Sequence, residues 1–185
     1  SALFRRGYVP TALCRPALMT LATGLYSHQN KTTGNNPART PANQAHAKKA
    51  GKDIREVLIS HIDQTGALPQ WLGEKSYVSH QSGKWWEGSY QRGGFTDGMT
   101  KGFPNRGGRH GDAGLKIGRD GMEPVFEFID RSVKDEKPFF VWYAPFLPHT
   151  PHNPPKRLHD KYLAKGVADR IAKYYAMCEW FDETC

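Results

Sequence analysis

A helical pattern followed directly by an apolar strand pattern constrains the fold of this chain most. Residues 122–133 carry apolar side chains at helical spacing, which predicts an amphipathic helix. Pro138 ends the helical pattern, and residues 139–143 then form a continuous apolar and aromatic run that predicts a buried strand. Because helix and strand patterns alternate along the chain, the sequence predicts an α/β fold.

The remaining predicted elements support this assignment. Further helices are predicted over residues 51–62, 69–73 and 171–181. A strand is predicted to begin at residues 77–79. Two segments are predicted as loops: residues 27–44, rich in Asn, Thr, Gly and Pro, and residues 88–121, where glycine is dense. A connection as long as the second is often functional.

Length, charge and cysteine content set the outer limits on function. The 185 residues are enough for one domain with a real core, but the chain begins at Ser1 and ends at Cys185 within a helical pattern, so we expect a fragment. The net charge of +8 suits an anionic partner, although a solvated basic face would give the same charge. The longest apolar-rich run, residues 139–147, has strand length, so no membrane span is expected. The cysteines imply no disulfide framework.

A single cysteine stands at the predicted start of the first helix. Pro16 fits a first helical turn, apolar residues then recur at helical spacing, and Gly24 can end the helix. Because a helix N-terminus favours negative charge and offers free N–H groups, Cys14 is placed where an anion would bind. A buried structural cysteine is the alternative that these residues leave open.

A second candidate, Lys84, follows Gly83 at the end of the strand predicted from residue 77. Ligands of open α/β sheets bind at the carboxyl ends of strands, so this lysine is a candidate anion-binding group. Considered alone, a surface lysine beside a tryptophan pair is the more common case.

Two histidines lie in a proline-rich loop after the apolar strand. His149 and His152 fall within residues 144–155, and rigid loops at strand ends are good mounts for catalytic groups. Histidines at this spacing also suit a metal, but no third ligand is spaced to join them. For His152, a polar loop residue facing water is the open alternative.

These three segments resemble, in order and spacing, the motifs of the sulfatase family. The matching residues are Cys14, Pro16, Thr23 and Gly24 for the Cys-x-Pro signature, residues 83–85 for the Gly-Lys-Trp element, and residues 138–140 with His149 for the strand and histidine loop. The chain departs from the family pattern at Leu18, where arginine is usual, and at Trp86, where histidine is common.

The resemblance implies a fold and a reaction. The fold would be an alkaline-phosphatase-like α/β sandwich around a mostly parallel central sheet, incomplete at both ends, with residues 1–185 forming part of a single catalytic domain. The reaction would be hydrolysis of sulfate esters, with a sulfated glycan as one candidate substrate. Cys14 would be oxidised to formylglycine by a formylglycine-generating or sulfatase-maturating enzyme, and a hydroxyl of the hydrated aldehyde would attack sulfur.

The resemblance also implies roles for the candidate residues. Cys14, Lys84 and His149 would be catalytic. Lys84 would hold the sulfate, and His149 would bind it or protonate the leaving oxygen. His152 would take part in substrate binding, by shaping the pocket or contacting the leaving group. A divalent cation, usually calcium, would polarise the sulfate, with the modified Cys14 as its one ligand in this chain. Because the other family ligands have no counterparts here, we expect the isolated fragment to be inactive.

The family further implies a periplasmic, secreted or lysosome-like location and no nucleic-acid partner. Two alternatives remain open. A phosphatase or phosphodiesterase of the same superfamily would share the fold, but it normally uses Ser or Thr as nucleophile and more metal-binding His and Asp. A non-catalytic polyanion-binding protein would fit the +8 charge if Cys14 is not modified.

Overall fold

Helices and a small parallel sheet make up the part of the chain that the computed structural model describes, residue 3 and residues 5–105 and 112–185. The helices are α1 (Cys14–Thr23), α2 (Ser27–Asn30), α3 (Pro41–Lys49), α4 (Ile54–Ile59), α5 (Leu68–Gly73), α6 (Glu123–Lys134), α7 (Lys156–Leu163) and α8 (Asp169–Thr184). The strands are β1 (Val78–Gly83), β2 (Asp97–Gly98) and β3 (Phe139–Ala144). Short 3₁₀ turns cover Ile62–Gln64, Tyr90–Gly93 and Ala113–Lys116.

The sheet confirms the predicted α/β class. Its order is β2–β1–β3, and both neighbours run parallel to β1. The register pairs Ser79 with Phe140 and Gly83 with Ala144. Parallel strands bring their carboxyl ends to one edge of a sheet, so the segments that follow β1 and β3 leave from the same edge.

The central strand β1 is buried although its sequence is largely polar. Ser79, Gln81 and Ser82 are each no more than 1% exposed. Their polar groups are hydrogen-bonded: Ser82 Oγ donates to Trp142 O at 2.9 Å, and Gln81 Oε1 accepts from the Thr100 N–H at 3.0 Å. A buried polar side chain is tolerated when such partners are present.

The prediction of a strand at residues 139–143 is confirmed, but the prediction that it is buried is wrong. Within β3 only Trp142 is buried, and Phe139 is 36% exposed. The strand order explains the difference, because β3 lies at the edge of the described sheet and β1 occupies its centre. An apolar run is typical of a buried strand, but it does not show which strand is central.

Most predicted helices are confirmed, while the loop prediction for residues 27–44 is wrong. This segment contains α2 and the start of α3. The missed signals are local: Thr40 Oγ1 accepts from the Asn43 N–H at 3.2 Å as an N-cap, and Pro41 follows it. Helix α7 was also not predicted. In the long glycine-dense loop predicted at 88–121, residues 106–111 lie outside the described residues.

The main core packs α1 against aromatic side chains from the sheet region. Met19 and Ala22 of α1 are 1% exposed and belong to the same buried cluster as Trp85. Trp85 contacts Phe95 and Trp142 edge to face, with ring centroids 5.2 and 5.6 Å apart. The residue directly after Lys84 is therefore anchored in the core.

Candidate active site

Cys14 is the first residue of α1 and is half-buried. Gly24 ends this helix in a left-handed conformation, as the sequence predicts. The anion-binding capacity of the helix start is smaller than expected. The Arg15 N–H already donates to Asn35 Oδ1 at 2.9 Å, and Pro16 has no N–H. Any anion at Cys14 therefore needs a further positive group.

Lys84 supplies such a group. Its Nζ lies 3.8 Å from Cys14 Sγ. The backbone of Lys84 is held by β3 on both of its polar groups, since its N–H donates to Ala144 O at 2.6 Å and its carbonyl accepts from Trp142 Nε1 at 3.2 Å. The ammonium group is thus held beside Cys14, where it can neutralise a negative charge carried on that side chain.

A buried ion pair joins the segments that carry Cys14 and Lys84. Arg15 Nε and Nη2 donate to the carboxylate of Glu87 at 2.7 and 2.6 Å, and both side chains are nearly inaccessible to solvent. Burial raises the pKa of Glu87, and the charge and hydrogen bonds of Arg15 oppose that shift. Arg15 therefore points into the interior, where its guanidinium is engaged by Glu87.

Replacing Gly83 with alanine is expected to destabilise the fold and displace Lys84. Gly83 has φ +82°, and a Cβ there would lie 1.9 Å from the backbone oxygen of Ala144. Because that oxygen belongs to the sheet and cannot swing away, we expect a loss of at least about 2 kcal/mol in urea denaturation.

Gly24→Ala is the matched control for Gly83→Ala. Gly24 also has a positive φ of +69°, but nothing lies within 4 Å of an added Cβ. This control isolates the cost of the backbone conformation, which we expect to be about 1 kcal/mol. Equal losses at the two glycines would contradict the contact argument.

The histidine loop approaches Lys84 through Phe146. The Phe146 ring stacks on the His149 ring, with centroids 4.4 Å apart at 21°, and Lys84 Nζ lies 5.2 Å from the Phe146 centroid. His149 is exposed, and its Nδ1 lies 2.9 Å from Thr150 O. When Nδ1–H donates to that oxygen, Nε2 remains as the ring atom that can exchange a proton with a ligand.

Two hollows meet at Lys84. The first, which we call the Cys14 groove, has a volume of about 340 Å³, and its lining includes Cys14, Leu18, Lys84, Tyr143 and Phe181. The second, the histidine hollow, has a volume of about 350 Å³, and its lining includes Lys84, His149, His152 and Tyr174. Lys84 lines both. The predicted site residues therefore lie along adjoining hollows, with His152 at the edge beside Tyr174, 5.6 Å between ring centroids.

The two departures from the motif pattern have different positions. Leu18 lines the Cys14 groove, so an apolar side chain stands where an arginine was expected. Trp86 is 5% exposed and packs in the interior. The polar group expected at position 86 is therefore replaced by a buried ring.

The sulfatase family model matches residues 1–184. The chain belongs to the sulfatase family. No curated protein is similar enough to the chain to count as a match. Sulfatase membership agrees with the order of the Cys14, Lys84 and His149 segments along the chain.

Solved structures share the fold of this sulfatase chain. A crystal structure of Ps i-CgsB is 20% identical, with a TM-score of 0.65, and the match covers 96% of this chain. The structure of Ps i-CgsB in complex with k-i-k-neocarrahexaose gives 19% identity, a TM-score of 0.64 and the same coverage. At these identities the likeness shows the fold, an alkaline-phosphatase-like α/β architecture. The chain spans 44% of the length of each of these structures.

Sulfatases use a divalent cation, and the described residues do not make a complete site for one. Within residues 5–105 and 112–185, no group of three or more His, Cys, Asp or Glu side chains is arranged to hold a metal ion. Oxygen-rich sites with several carboxylates are what calcium requires. Cys14 remains the single candidate ligand predicted from the sequence.

In the described part of this sulfatase chain, no helix combines the length and apolar character needed to cross a bilayer.

Three residues of the site region were not predicted from the sequence. They are Arg15, Glu87 and Arg119. Arg15 follows Cys14, and Glu87 lies two residues after the Gly-Lys-Trp element. Their opposite charges are the one sequence signal that could have paired them. Nothing in the sequence pairs Arg119 with the histidine loop, which it contacts across thirty or more positions of the chain.

Proposed function

We propose that the natural polypeptide containing these residues hydrolyses sulfate esters, with Cys14, converted to formylglycine, as the nucleophile. The observation that carries the proposal is the 3.8 Å separation of Lys84 Nζ and Cys14 Sγ in a sulfatase-family chain. An ammonium group beside a nucleophile position suits an anionic substrate, and the half-buried Cys14 is accessible from the groove.

Each candidate residue has a distinct task in this proposal. The hydrated aldehyde supplies a nucleophilic hydroxyl and a second hydroxyl on the same carbon that can expel sulfate. Lys84 binds a sulfate oxygen and offsets the charge that develops there, because its Nζ faces the Cys14 position. His149 delivers a proton to the leaving oxygen from Nε2, while Thr150 O holds Nδ1. His152 lines the histidine hollow and contributes to its shape.

A sulfated glycan is the substrate class we propose. The fold neighbour Ps i-CgsB has been solved with k-i-k-neocarrahexaose, and the net charge of +8 favours a polyanionic substrate. Two adjoining hollows give room for the sulfate in one and a neighbouring part of the substrate in the other. Conversion of Cys14 by a formylglycine-generating or sulfatase-maturating enzyme and a periplasmic, secreted or lysosome-like location complete the proposal.

The test is sulfate release by Lys84→Met. The variant keeps an unbranched side chain that is one atom shorter and removes its charge. We expect kcat/KM to fall about 100-fold or more, because a group that stabilises developing charge is lost. The measurement uses the natural polypeptide, co-produced with a formylglycine-generating enzyme and supplied with a divalent cation. Lys116→Met, which removes an exposed lysine of the same length, should leave the rate unchanged. Undiminished release by Lys84→Met would contradict the proposal.

Leu18 supports a second candidate function, polyanion binding without catalysis. It lines the groove beside Cys14 and provides no charge where the family pattern has arginine. Under this alternative, Cys14 stays a cysteine, and the protein binds sulfated glycans without releasing sulfate. Binding combined with an unmodified Cys14 in the protein co-produced with the converting enzyme would favour it over hydrolysis.

A further inference from the structure

Arg119 holds the histidine loop through three hydrogen bonds. Its Nη2 donates to His149 O at 2.6 Å and to Pro151 O at 3.2 Å, and its Nη1 donates to Asn153 Oδ1 at 3.2 Å. The guanidinium therefore bridges three residues of one loop. A planar fork of donors can do this at fixed geometry, whereas a lysine offers a single charged centre.

Arg119 also contacts the ring on which His149 rests. Its Cζ lies 5.5 Å from the centroid of Phe146, and the same ring stacks on His149 at 4.4 Å. Lys84 Nζ lies 5.2 Å from that centroid as well. Both cations are attracted to the aromatic ring. Phe146 is thus the shared contact of the cation beside Cys14, the proposed proton donor and the arginine that holds the loop.

The backbone around Arg119 is itself fixed. The Gly118 N–H donates to Gly121 O at 2.9 Å, and the Arg119 N–H donates to Lys116 O at 3.1 Å. Gly118 has φ +80°, and a Cβ there would lie 2.7 Å from Tyr143 Oη, so the turn packs closely on β3. Burial lowers the pKa of Arg119, but an arginine remains charged at neutral pH. The guanidinium is therefore presented from a tight turn.

We propose that Arg119 is a positioning residue that holds the His149 imidazole at Phe146, beside Lys84. The catalytic consequence rests on the proposed function, in which His149 donates a proton. Three charge-assisted hydrogen bonds set the path of residues 149–153, and the path sets where Nε2 lies. A proton donor displaced by about 1 Å is a poor one, so the loss should appear in kcat rather than in substrate binding.

The test compares Arg119→Gln and Arg119→Lys with Arg131→Gln in the natural polypeptide. Arg131 is the matched control, because it also stacks over a phenylalanine, Phe128, and pairs with an acceptor, Asp97, on the face of α6. For Arg119→Gln we expect kcat for sulfate release to fall about 10- to 100-fold with KM changed less than about 3-fold. Arg119→Lys should recover only part of kcat. Arg131→Gln should have the kcat and KM of the wild-type protein.

A second readout does not depend on catalysis. In protein labelled with [¹³C]histidine, the His149 ring signal, assigned by its loss in His149→Gln, should shift in Arg119→Gln toward the position of a histidine that has no aromatic ring stacked on it, because the stacking on Phe146 is lost. Arg131→Gln should leave it in place. If the wild-type protein, with no residue substituted, releases no sulfate, the proposed function fails. The His149 signal alone then decides the role of Arg119.

Three outcomes would overturn the inference: an unchanged His149 signal in Arg119→Gln, a wild-type kcat in that variant, or full recovery of kcat by Arg119→Lys. Should Arg119→Gln not fold, Asn153→Ala replaces it, because this change removes only one acceptor of the guanidinium. It should give the same split between kcat and KM at smaller amplitude, and an unaltered kcat would count against the proposal.

Discussion

Cys14→Ala is expected to reduce sulfate release by at least about 10³-fold, because it removes the atom from which the nucleophile is made. Removal of a nucleophile leaves only the contribution of the remaining binding groups to the rate. Lys84 and His149 stay in place in this variant, so substrate binding should persist while turnover is lost. Steady-state sulfate release and glycan binding, measured on the same preparation, test both parts.

The cysteine on α8 provides a matched control. Cys178 is also a free, half-buried thiol, but it does not line the Cys14 groove. Cys178→Ala should retain both activity and the mass loss of about 18 Da that accompanies conversion of cysteine to formylglycine. Cys14→Ala should show no such loss. Equal sulfate release by Cys14→Ala and by the wild-type protein would eliminate the formylglycine mechanism.

Arg15→Met is expected to cost about 3–5 kcal/mol of stability, a large share of what a typical domain has. The change leaves the Glu87 carboxyl buried without the guanidinium that donates to both of its oxygens. Chemical denaturation of the natural polypeptide measures the loss. Arg15→Met with Glu87→Leu should recover much of it, because replacing a whole buried pair by apolar groups is far less costly than breaking it.

The loss in Arg15→Met should depend on pH in a defined direction. Burial already raises the pKa of Glu87, and removal of Arg15 raises it further. The unfolded carboxyl has a pKa of about 4.3, so between that value and the raised folded pKa the folded variant holds a proton that the unfolded chain does not. Its stability is therefore greatest below about pH 4 and falls as the pH rises through the folded pKa.

The free energy of unfolding that Arg15→Met loses relative to the wild-type protein should thus be larger at about pH 8 than at about pH 5. The double variant lacks the carboxyl and should show no such trend. A deficit of the same size at both pH values would mean that Glu87 gains no proton when Arg15 is removed.

The sequence was sufficient for the parts of the site that depend on local pattern. Cys14 at a helix start and Lys84 after a strand were both predicted from neighbouring residues, and the structure places them side by side. The α/β class also followed from pattern alone. In each case the signal lies within a few residues of the feature it predicts.

The parts that were missed depend on contacts between distant segments. Arg15 meets Glu87 across 72 positions, and Arg119 meets His149 across 30. The edge position of β3 follows from strand order, which an apolar run does not encode. Such pairings require the folded arrangement, because many arginines of this basic chain are equally plausible partners when only the sequence is known.

The polar side chains buried in β1 have a consequence for alignment. A shift of one residue in the register of a strand turns every side chain to the opposite face of the sheet. A central strand with apolar residues on both faces would still bury apolar surface after such a shift, so its pattern alone does not fix the register. Ser82 and Gln81 find their acceptor and donor at only one offset from β3 and the Thr100 segment. These hydrogen bonds therefore fix the register of β1, and this register places Lys84 on the side that faces Cys14.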